Sequence, residues 1–355
     1  MNAVSNDGSG GASPPATGGT VTMTYVQALN EALREEMERD PTVFVMGEDI
    51  AVWGGGGVFG VTKGLVDIFG PERIRDTPIS EAGFTGVGLG AALTGMRPVV
   101  EYMYADFMMV AMDQIANQAA KIRYMFGGKA RVPLVLRTQE GAGRGNGPQH
   151  SQSLEAWFTH IPGLKVAVPS TPADAKGLLK MAIRDDNPVV FLEHKLLYGK
   201  KGEVPVGEHL VPFGRANVLR EGRHVTVVGV HITNDHALEA AEILAPEGIE
   251  LEVVDPRTLV PYDREAVAAS VRKTGRLIAV HQAPERVGVA AEIIQCAIED
   301  AFDYLDAPPM RLCAANMPVP YAKTLEDADL PQVADIVGAA RRLMSGRSVT
   351  TAGSR

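Results

Sequence analysis

Short, almost wholly apolar runs alternate in this chain with segments of helical spacing, and this alternation leaves few possible folds. Ahead of residue 200 the apolar runs are 42–46, 97–103, 132–138, 164–170 and 187–193. Helical patterns separate them, notably at 108–124 and 173–183. An earlier amphipathic stripe ends near Asp40, because Pro41 disfavours helix in the residue before it; it consists of Val26, Leu29, Leu33 and Met37. The alternation predicts an α/β fold with parallel sheets.

The alternation is interrupted between Gly199 and Arg215, where glycine and proline occur without apolar periodicity. We therefore place a linker at residues 201–215. Beyond it, apolar runs resume at 225–230, 249–255 and 276–282, with helical patterns at 235–244, 264–272 and 290–302. These patterns predict two parallel-sheet domains, residues 23–200 and the smaller 216–345. We expect residues 1–22 and 346–355 to be disordered tails, since residues 1–22 are mostly small or polar and lack an apolar face.

Composition limits the partners and the cellular location. The chain has 355 residues, and its apolar fraction of 45% can supply a core for each domain. A formal net charge of −9 argues against a nucleic-acid groove. Cys296 and Cys313 are too few for a disulfide framework. No run approaches the roughly 18 apolar residues of a membrane span, and the N-terminus lacks signal-peptide features. We expect a cytoplasmic protein without nucleic-acid or membrane partners.

Two loops carry candidate chemistry. Glu81, in DTPISEAGF, stands before the glycine-rich GFTGVGLGAALTG, where a flat ligand can approach the backbone closely. His150 follows the glycine-rich GAGRGNGPQ. Ligands of open parallel sheets bind in such connecting loops, and both residue types can act as acid–base groups near neutral pH. From the residues alone, Glu81 could equally be a helix N-terminal carboxylate, and His150 would more often be a side chain that satisfies loop carbonyls.

Ordered motifs along the chain add a family resemblance. They are MGEDI, FGPERIRDTPISEAGF, YADF, DQIANQAAKIRYMFGG, QHSQS, HIPGLKVAVPSTPADAKGLL, AIRDDNPVVFLEHKLLYG, DPRTLVPYD and MPVPYAKTLED. From about Thr24 to about Leu343, the chain resembles the β subunits of thiamine diphosphate-dependent 2-oxo acid dehydrogenases. The resemblance implies a transketolase-like pyrimidine-binding domain at 23–200 and a transketolase C-terminal-like domain at 216–345.

The resemblance also implies roles for single residues. In the family, the glutamate matching Glu81 hydrogen-bonds a ring nitrogen of the cofactor's aminopyrimidine and so activates the cofactor. The histidine matching His150 is assigned to reductive acylation of lipoamide, in which the dithiolane gains a proton. By the same likeness, further cofactor contacts are Ile79, Met103 and Phe107. The last two residues could equally belong to the ordinary core.

The metal sites implied by the resemblance divide between two chains. The segment AIRDDNP resembles a potassium site whose candidate ligands here are Leu134, Ala182, Ile183, Asp185 and Asn187. Backbone oxygens suit a hard cation, although a plain helix end before Pro188 explains the same segment. Thiamine enzymes hold magnesium and diphosphate with Gly-Asp-Gly and a following asparagine, and this sequence contains no Gly-Asp-Gly. The resemblance therefore implies that a separate α subunit holds magnesium and the diphosphate.

Two other glycine-rich segments match nucleotide fingerprints only in part. Residues 86–91, GVGLGA, lack a strand directly before them and an acid at the ribose-binding spacing. We interpret them as close helix packing. Residues 53–64, WGGGGVFGVTKG, lack the Gly-Lys-Ser/Thr ending of a phosphate loop. We interpret them as a flexible loop near the cofactor.

Together the motifs imply the β subunit of the first component of a pyruvate or acetoin dehydrogenase complex. Such a subunit acts in an α₂β₂ heterotetramer, with a lipoyl acyltransferase and a flavoprotein. It cleaves a C–C bond of a small-molecule substrate and transfers the acyl group to lipoamide. HQAPERVGVAAEI, around Arg286, lacks the Thr-Gly-Gly of many pyruvate and branched-chain members. The alternatives are a branched-chain β subunit, a non-catalytic structural subunit and a single-chain transketolase-like transferase.

Overall fold

The computed structural model describes residues 18–51 and 55–345. The predicted tails therefore lie outside the described residues, except for residues 18–22. The strands are β1 (Thr20–Thr24), β2 (Val43–Gly47), β3 (Ile74–Asp76), β4 (Arg97–Tyr102), β5 (Val135–Glu140), β6 (Lys165–Ala167), β7 (Val189–His194), β8 (Lys201–Pro205), β9 (Asn217–Arg220), β10 (Val225–Gly229), β11 (Leu251–Asp255), β12 (Thr258–Val260), β13 (Leu277–Pro284) and β14 (Met310–Ala314).

The α-helices occupy the connections between these strands. They are α1 (Tyr25–Arg39), α2 (Leu65–Phe69), α3 (Glu81–Leu93), α4 (Ala105–Met108), α5 (Ala120–Met125), α6 (Glu155–Thr159), α7 (Pro172–Arg184), α8 (Thr233–Leu244), α9 (Arg264–Thr274), α10 (Val289–Ala301), α11 (Lys323–Asp329) and α12 (Val333–Met344). Within the described ranges, no helix combines the length and apolar character that crossing a membrane requires.

The larger sheet has seven strands in the order β12-β6-β7-β5-β4-β2-β3. Its strands pair in parallel, except that β12 runs antiparallel to β6. Alternate residues face opposite helix layers: Val45 and Val99 lie in one apolar cluster with residues of α1 and α7, while Met46 and Val100 lie in another with residues of α3. This arrangement confirms the predicted parallel α/β domain and places the loops after β2, β4 and β5 at one edge.

The smaller sheet has five strands in the order β14-β13-β10-β11-β9, with only β9 antiparallel to its neighbour. This confirms the second parallel-sheet domain. The two domains are not separated as the sequence suggested, however, because β12 belongs by sequence to the second domain and pairs with the sheet of the first. Three residues are too short for a periodic pattern, so the sequence did not reveal this edge strand.

Two predicted boundaries are wrong. β1 pairs antiparallel with β8, so residues 20–22 are not part of a disordered tail and residues 201–205 are not a structureless linker. The Thr20 hydroxyl donates a hydrogen bond of 2.5 Å to Glu203, and the Thr22 hydroxyl donates to the same carboxylate. Alternating threonines favour a strand. Their partner lies about 180 residues away, where local sequence patterns cannot indicate the pairing.

The segment predicted as one helix at 108–124 follows a helical path of changing pitch. After α4 come a 3₁₀ turn at Met109–Ala111 and a π-helix at Asp113–Ala119, and then α5. The apolar pattern thus predicted the path and not the number of residues per turn. The interpretation of residues 86–91 as close helix packing is confirmed. They lie inside α3, where a Cβ on Gly88 would come within 2.6 Å of Val100 Cγ2 on β4.

Candidate functional site

Glu81 is the first residue of α3, and only 7% of its surface is exposed. The Thr85 hydroxyl donates to the Glu81 carbonyl oxygen at 2.5 Å and also lies 2.5 Å from the Tyr102 hydroxyl at the end of β4. These contacts fix the first turn of α3 against the sheet. Among the described residues, no hydrogen bond or ion pair engages the Glu81 carboxylate. The residue as a whole is nearly buried, and its carboxylate is free to accept a hydrogen bond from a ligand.

Glu48 is a second carboxylate near Glu81, and no pattern in the sequence indicates a role for it. It follows β2, is 8% exposed, and its buried Oε1 has no hydrogen-bond partner. Burial raises the pKa of Glu48 to about 7, and the negative charges of Glu81 and Asp49 add to the increase. The MGEDI motif contained this residue. Its proximity to Glu81 depends on the pairing of distant strands and was not visible in the motif.

His150 lies against two aromatic rings. Its ring centroid is 4.8 Å from that of Tyr104 and 5.2 Å from that of Phe107, with near-perpendicular planes in both cases. Tyr104 and Phe107 also contact each other edge to face. The structure thus brings together two predicted site residues, His150 and Phe107, and adds Tyr104, which the YADF motif contained.

The loop after β4 connects this aromatic cluster to Glu81. Tyr102, at the end of β4, contacts Thr85 of α3, whereas Tyr104, two residues further on, contacts His150. Met103 between them is half-buried, as is Phe107. Ile79, in the loop before α3, is 82% exposed and therefore does not belong to the core. This exposure leaves it accessible to a ligand or a second chain.

Lys195 and Asp106 extend the site and were missed by the sequence analysis. The Lys195 ammonium group donates to the backbone carbonyl of His150 and lies 5.1 Å from the centroid of the Tyr104 ring. Burial lowers the pKa of Lys195 to about 8, although the charges of Asp106 and Glu326 oppose the shift. Asp106 accepts a 2.8 Å hydrogen bond from Gln152 Nε2, and its buried Oδ2 has no partner. Asp106 stands in the YADF motif and Lys195 in AIRDDNPVVFLEHKLLYG, but no local pattern in the sequence distinguishes either as a site residue.

The potassium candidates surround the end of α7, and protein cations already contact several of their oxygens. Arg97 Nη1 donates to the carbonyls of Ile183 at 3.0 Å and Asp185 at 3.1 Å. Lys165 pairs with the Asp185 carboxylate. The carbonyls of Leu134 and Ala182 accept backbone N–H groups, and Asn187 donates to Asp185. These hydrogen bonds and this ion pair are those of an ordinary helix end, which needs no ion. A potassium ion at this position stays a prediction.

Known families match most of the chain. Residues 21–201 match the family described as transketolase, pyrimidine binding domain, and residues 214–336 match transketolase, C-terminal domain. A solved structure, a split gene transketolase described as an inactive β4 tetramer, superposes with a TM-score of 0.72 at 24% identity. The match covers 91% of this chain and 98% of that chain, and it shows the fold alone. The chain belongs to the transketolase-like family, whose members are thiamine diphosphate-dependent enzymes.

Curated relatives narrow the family further. The acetoin:2,6-dichlorophenolindophenol oxidoreductase subunit beta of Cupriavidus necator is 51% identical, over 90% of this chain and 96% of that protein. The pyruvate dehydrogenase E1 component subunit beta-1 of Oryza sativa subsp. japonica, a mitochondrial protein, is 50% identical. This match covers 90% of this chain and 86% of that protein. The acetoin:2,6-dichlorophenolindophenol oxidoreductase subunit beta of Bacillus subtilis is 48% identical, over 89% of this chain and 96% of that protein. The chain therefore groups with the β subunits of pyruvate and acetoin dehydrogenases, which confirms the resemblance.

Proposed function

We propose that this chain is the β subunit of the thiamine diphosphate-dependent first component of a pyruvate or acetoin dehydrogenase complex. One observation carries the proposal: Glu81 is only 7% exposed and its carboxylate has no hydrogen-bond or ion-pair partner among the described residues, in a chain about half identical to such subunits. The position matches the family glutamate that hydrogen-bonds the aminopyrimidine. A purely structural subunit would not require this unpaired carboxylate, which argues against the non-catalytic alternative.

The residues around Glu81 fit the aminopyrimidine half of the cofactor. Thiamine diphosphate, when bound, supplies an electron sink for the carbanion left by C–C cleavage. Glu81 would hydrogen-bond the aminopyrimidine ring, while apolar side chains of Ile79, Met103 and Phe107 would lie beside it. The first turn of α3 is held by Thr85 and Tyr102, so the backbone that carries Glu81 is fixed before the cofactor arrives.

An α subunit would supply the other half of the site. Exposed apolar residues on and beside α3 and α5 offer a surface for a second chain, namely Ile79, Val87, Val110, Tyr124, Met125 and Phe126. We propose that α holds magnesium and diphosphate, that the assembly is α₂β₂, and that it delivers acyl groups to a lipoyl acyltransferase in the cytoplasm. We also propose that a potassium ion binds at the end of α7.

Alone, this chain is expected to bind thiamine diphosphate weakly and to show no turnover, because it contains no Gly-Asp-Gly segment for magnesium and diphosphate. Adding the α chain should restore both properties. Calorimetry with magnesium measures binding, and turnover with pyruvate, acetoin and branched-chain 2-oxo acids identifies the substrate. Tight magnesium-dependent binding by this chain alone would refute the shared site.

His150→Ala is expected to impair acyl transfer to a lipoyl domain more than decarboxylation measured with an artificial electron acceptor. Only acyl transfer requires a proton for the opened dithiolane, and a general acid contributes about 10²- to 10⁴-fold. Both assays use the assembled α and β chains. His160→Ala serves as the matched control, because His160 is exposed. Equal losses in the two assays would assign His150 to substrate or cofactor positioning instead.

A further inference from the structure

We infer that Glu326, in the second domain, is a positioning residue for His150, and that the MPVPYAKTLED segment clamps the glycine loop carrying this histidine. The inference rests on the acyl-transfer role proposed for His150. Glu326 lies on α11 and is fully buried. It belongs to the second domain, whereas the loop Gly141–His150 belongs to the first. The clamp therefore crosses the domain boundary.

The Glu326 carboxylate accepts backbone hydrogen bonds from the glycine loop. Its Oε1 accepts from Gly143 N at 2.7 Å and from Gly145 N at 3.2 Å, and its Oε2 accepts from Gly145 N at 3.0 Å. Hydrogen bonds to an ionised acceptor are stronger than those between neutral groups. Because both N–H groups point at one buried carboxylate, the loop has little freedom to move while this contact holds.

Two glycines allow the loop to follow this path. Gly145 has a φ of +66°, and its N–H contacts the carboxylate. Gly147 has a φ of +74° and lies under the Tyr321 ring, with which a Cβ would overlap. Tyr321 and Glu326 come from the same segment of the second domain, so the loop is held at two points just before His150.

Lys195 extends the clamp to His150 itself. The positive charge of Lys195 interacts with the negative charge of Glu326, and its ammonium group donates to the His150 carbonyl oxygen. Glu326 thus acts on the histidine through the glycine loop, while Lys195 holds the histidine backbone through its own hydrogen bond. None of the described contacts of Glu326 involves the His150 ring, so Glu326 orients the histidine without taking part in proton transfer.

The test compares Glu326→Ala and Glu326→Gln with Asp327→Asn in the assembled α and β chains. Asp327 is the matched control, because its carboxylate pairs with Lys323 on the same helix and is 47% exposed. Displacement of a positioned group by about 1 Å can cost about 10²-fold in rate. We expect Glu326→Ala to slow lipoyl acylation about 10- to 100-fold and to change artificial-acceptor turnover less than about threefold. Glu326→Gln should recover part of the loss, since one acceptor oxygen remains.

A second readout does not depend on activity. In the assembly without cofactor, hydrogen exchange of the peptide spanning residues 141–150 should become about tenfold faster in Glu326→Ala and remain unchanged in Asp327→Asn. Faster exchange with unchanged acylation, or equal losses in both assays, would overturn the positioning role. Unchanged exchange would overturn the clamp itself. If the wild-type assembly does not acylate lipoyl domains, the proposed function fails, and the exchange result still decides whether the clamp exists.

Discussion

Glu81→Gln is expected to slow exchange of the cofactor's thiazolium proton about 10²- to 10⁴-fold in the assembled α and β chains. Glutamine keeps the shape of the side chain and removes the carboxylate that hydrogen-bonds the aminopyrimidine in the proposed site. Hydrogen–deuterium NMR on the assembly measures this exchange directly. Cofactor binding should weaken only modestly, because the apolar contacts proposed for Ile79, Met103 and Phe107 remain.

Folding should be unaffected by this change, because the Glu81 carboxylate has no hydrogen-bond or ion-pair partner within the described part of the chain. Glu72→Gln is a matched control, since Glu72 is an exposed carboxylate whose partner within the described part of the chain is Arg75. Wild-type exchange in Glu81→Gln would remove Glu81 from cofactor activation. It would then be the helix N-terminal carboxylate that the sequence alone also permits.

The sequence predicted the elements of the fold better than their pairing. Strands such as β2, β4 and β5 are buried on both faces, and their apolar runs alone indicate them. The pairing of β1 with β8 and of β12 with β6 depends on residues far apart in the chain. Of these four strands, β1, β8 and β12 were not predicted, and each has only three to five residues. Such short segments carry too little periodicity to distinguish a strand from a loop.

The residues of the candidate site also fall into two groups, those that the sequence indicates and those that only the structure brings together. Glu81 and His150 could be found because each follows a strand and its loop, and each adjoins a glycine-rich segment. Glu48, Lys195 and Glu326 have no local signal, since their surroundings arise from contacts between distant loops or between the two domains. The motif MPVPYAKTLED contributed to the family resemblance, but only the structure suggests a reason for its glutamate.

A buried ion cluster lies at the centre of the larger sheet and supports the edge that carries the site. Arg137 on β5 is 1% exposed and lies between Glu101 on β4 and Glu193 on β7. Its Nη2 donates to Glu193 at 2.8 Å, and the Tyr198 hydroxyl donates to the same carboxylate at 2.6 Å. Burial raises the pKa of both carboxyls, and the charge of Arg137 opposes the shift.

Arg137→Met is therefore expected to lower the free energy of unfolding by about 3–5 kcal/mol, because it leaves two buried carboxylates without their cation. Urea unfolding measures the loss. Arg223→Met, which breaks an exposed pair with Glu250, should cost less than about 1 kcal/mol.

The loss of unfolding free energy in Arg137→Met should increase as the pH rises. Without the cation, burial keeps the folded-state pKa values of Glu101 and Glu193 above their unfolded values, so the folded state binds protons more tightly than the unfolded state. Stability of the variant is then retained at low pH and lost as the pH rises through those folded values. Combining Arg137→Met with Glu101→Gln and Glu193→Gln should remove most of this pH dependence, because no buried carboxylate is left to ionise. A destabilisation that is the same at pH 5 and pH 8 would show that packing of the Arg137 side chain, and not its charge, stabilises the centre of the sheet.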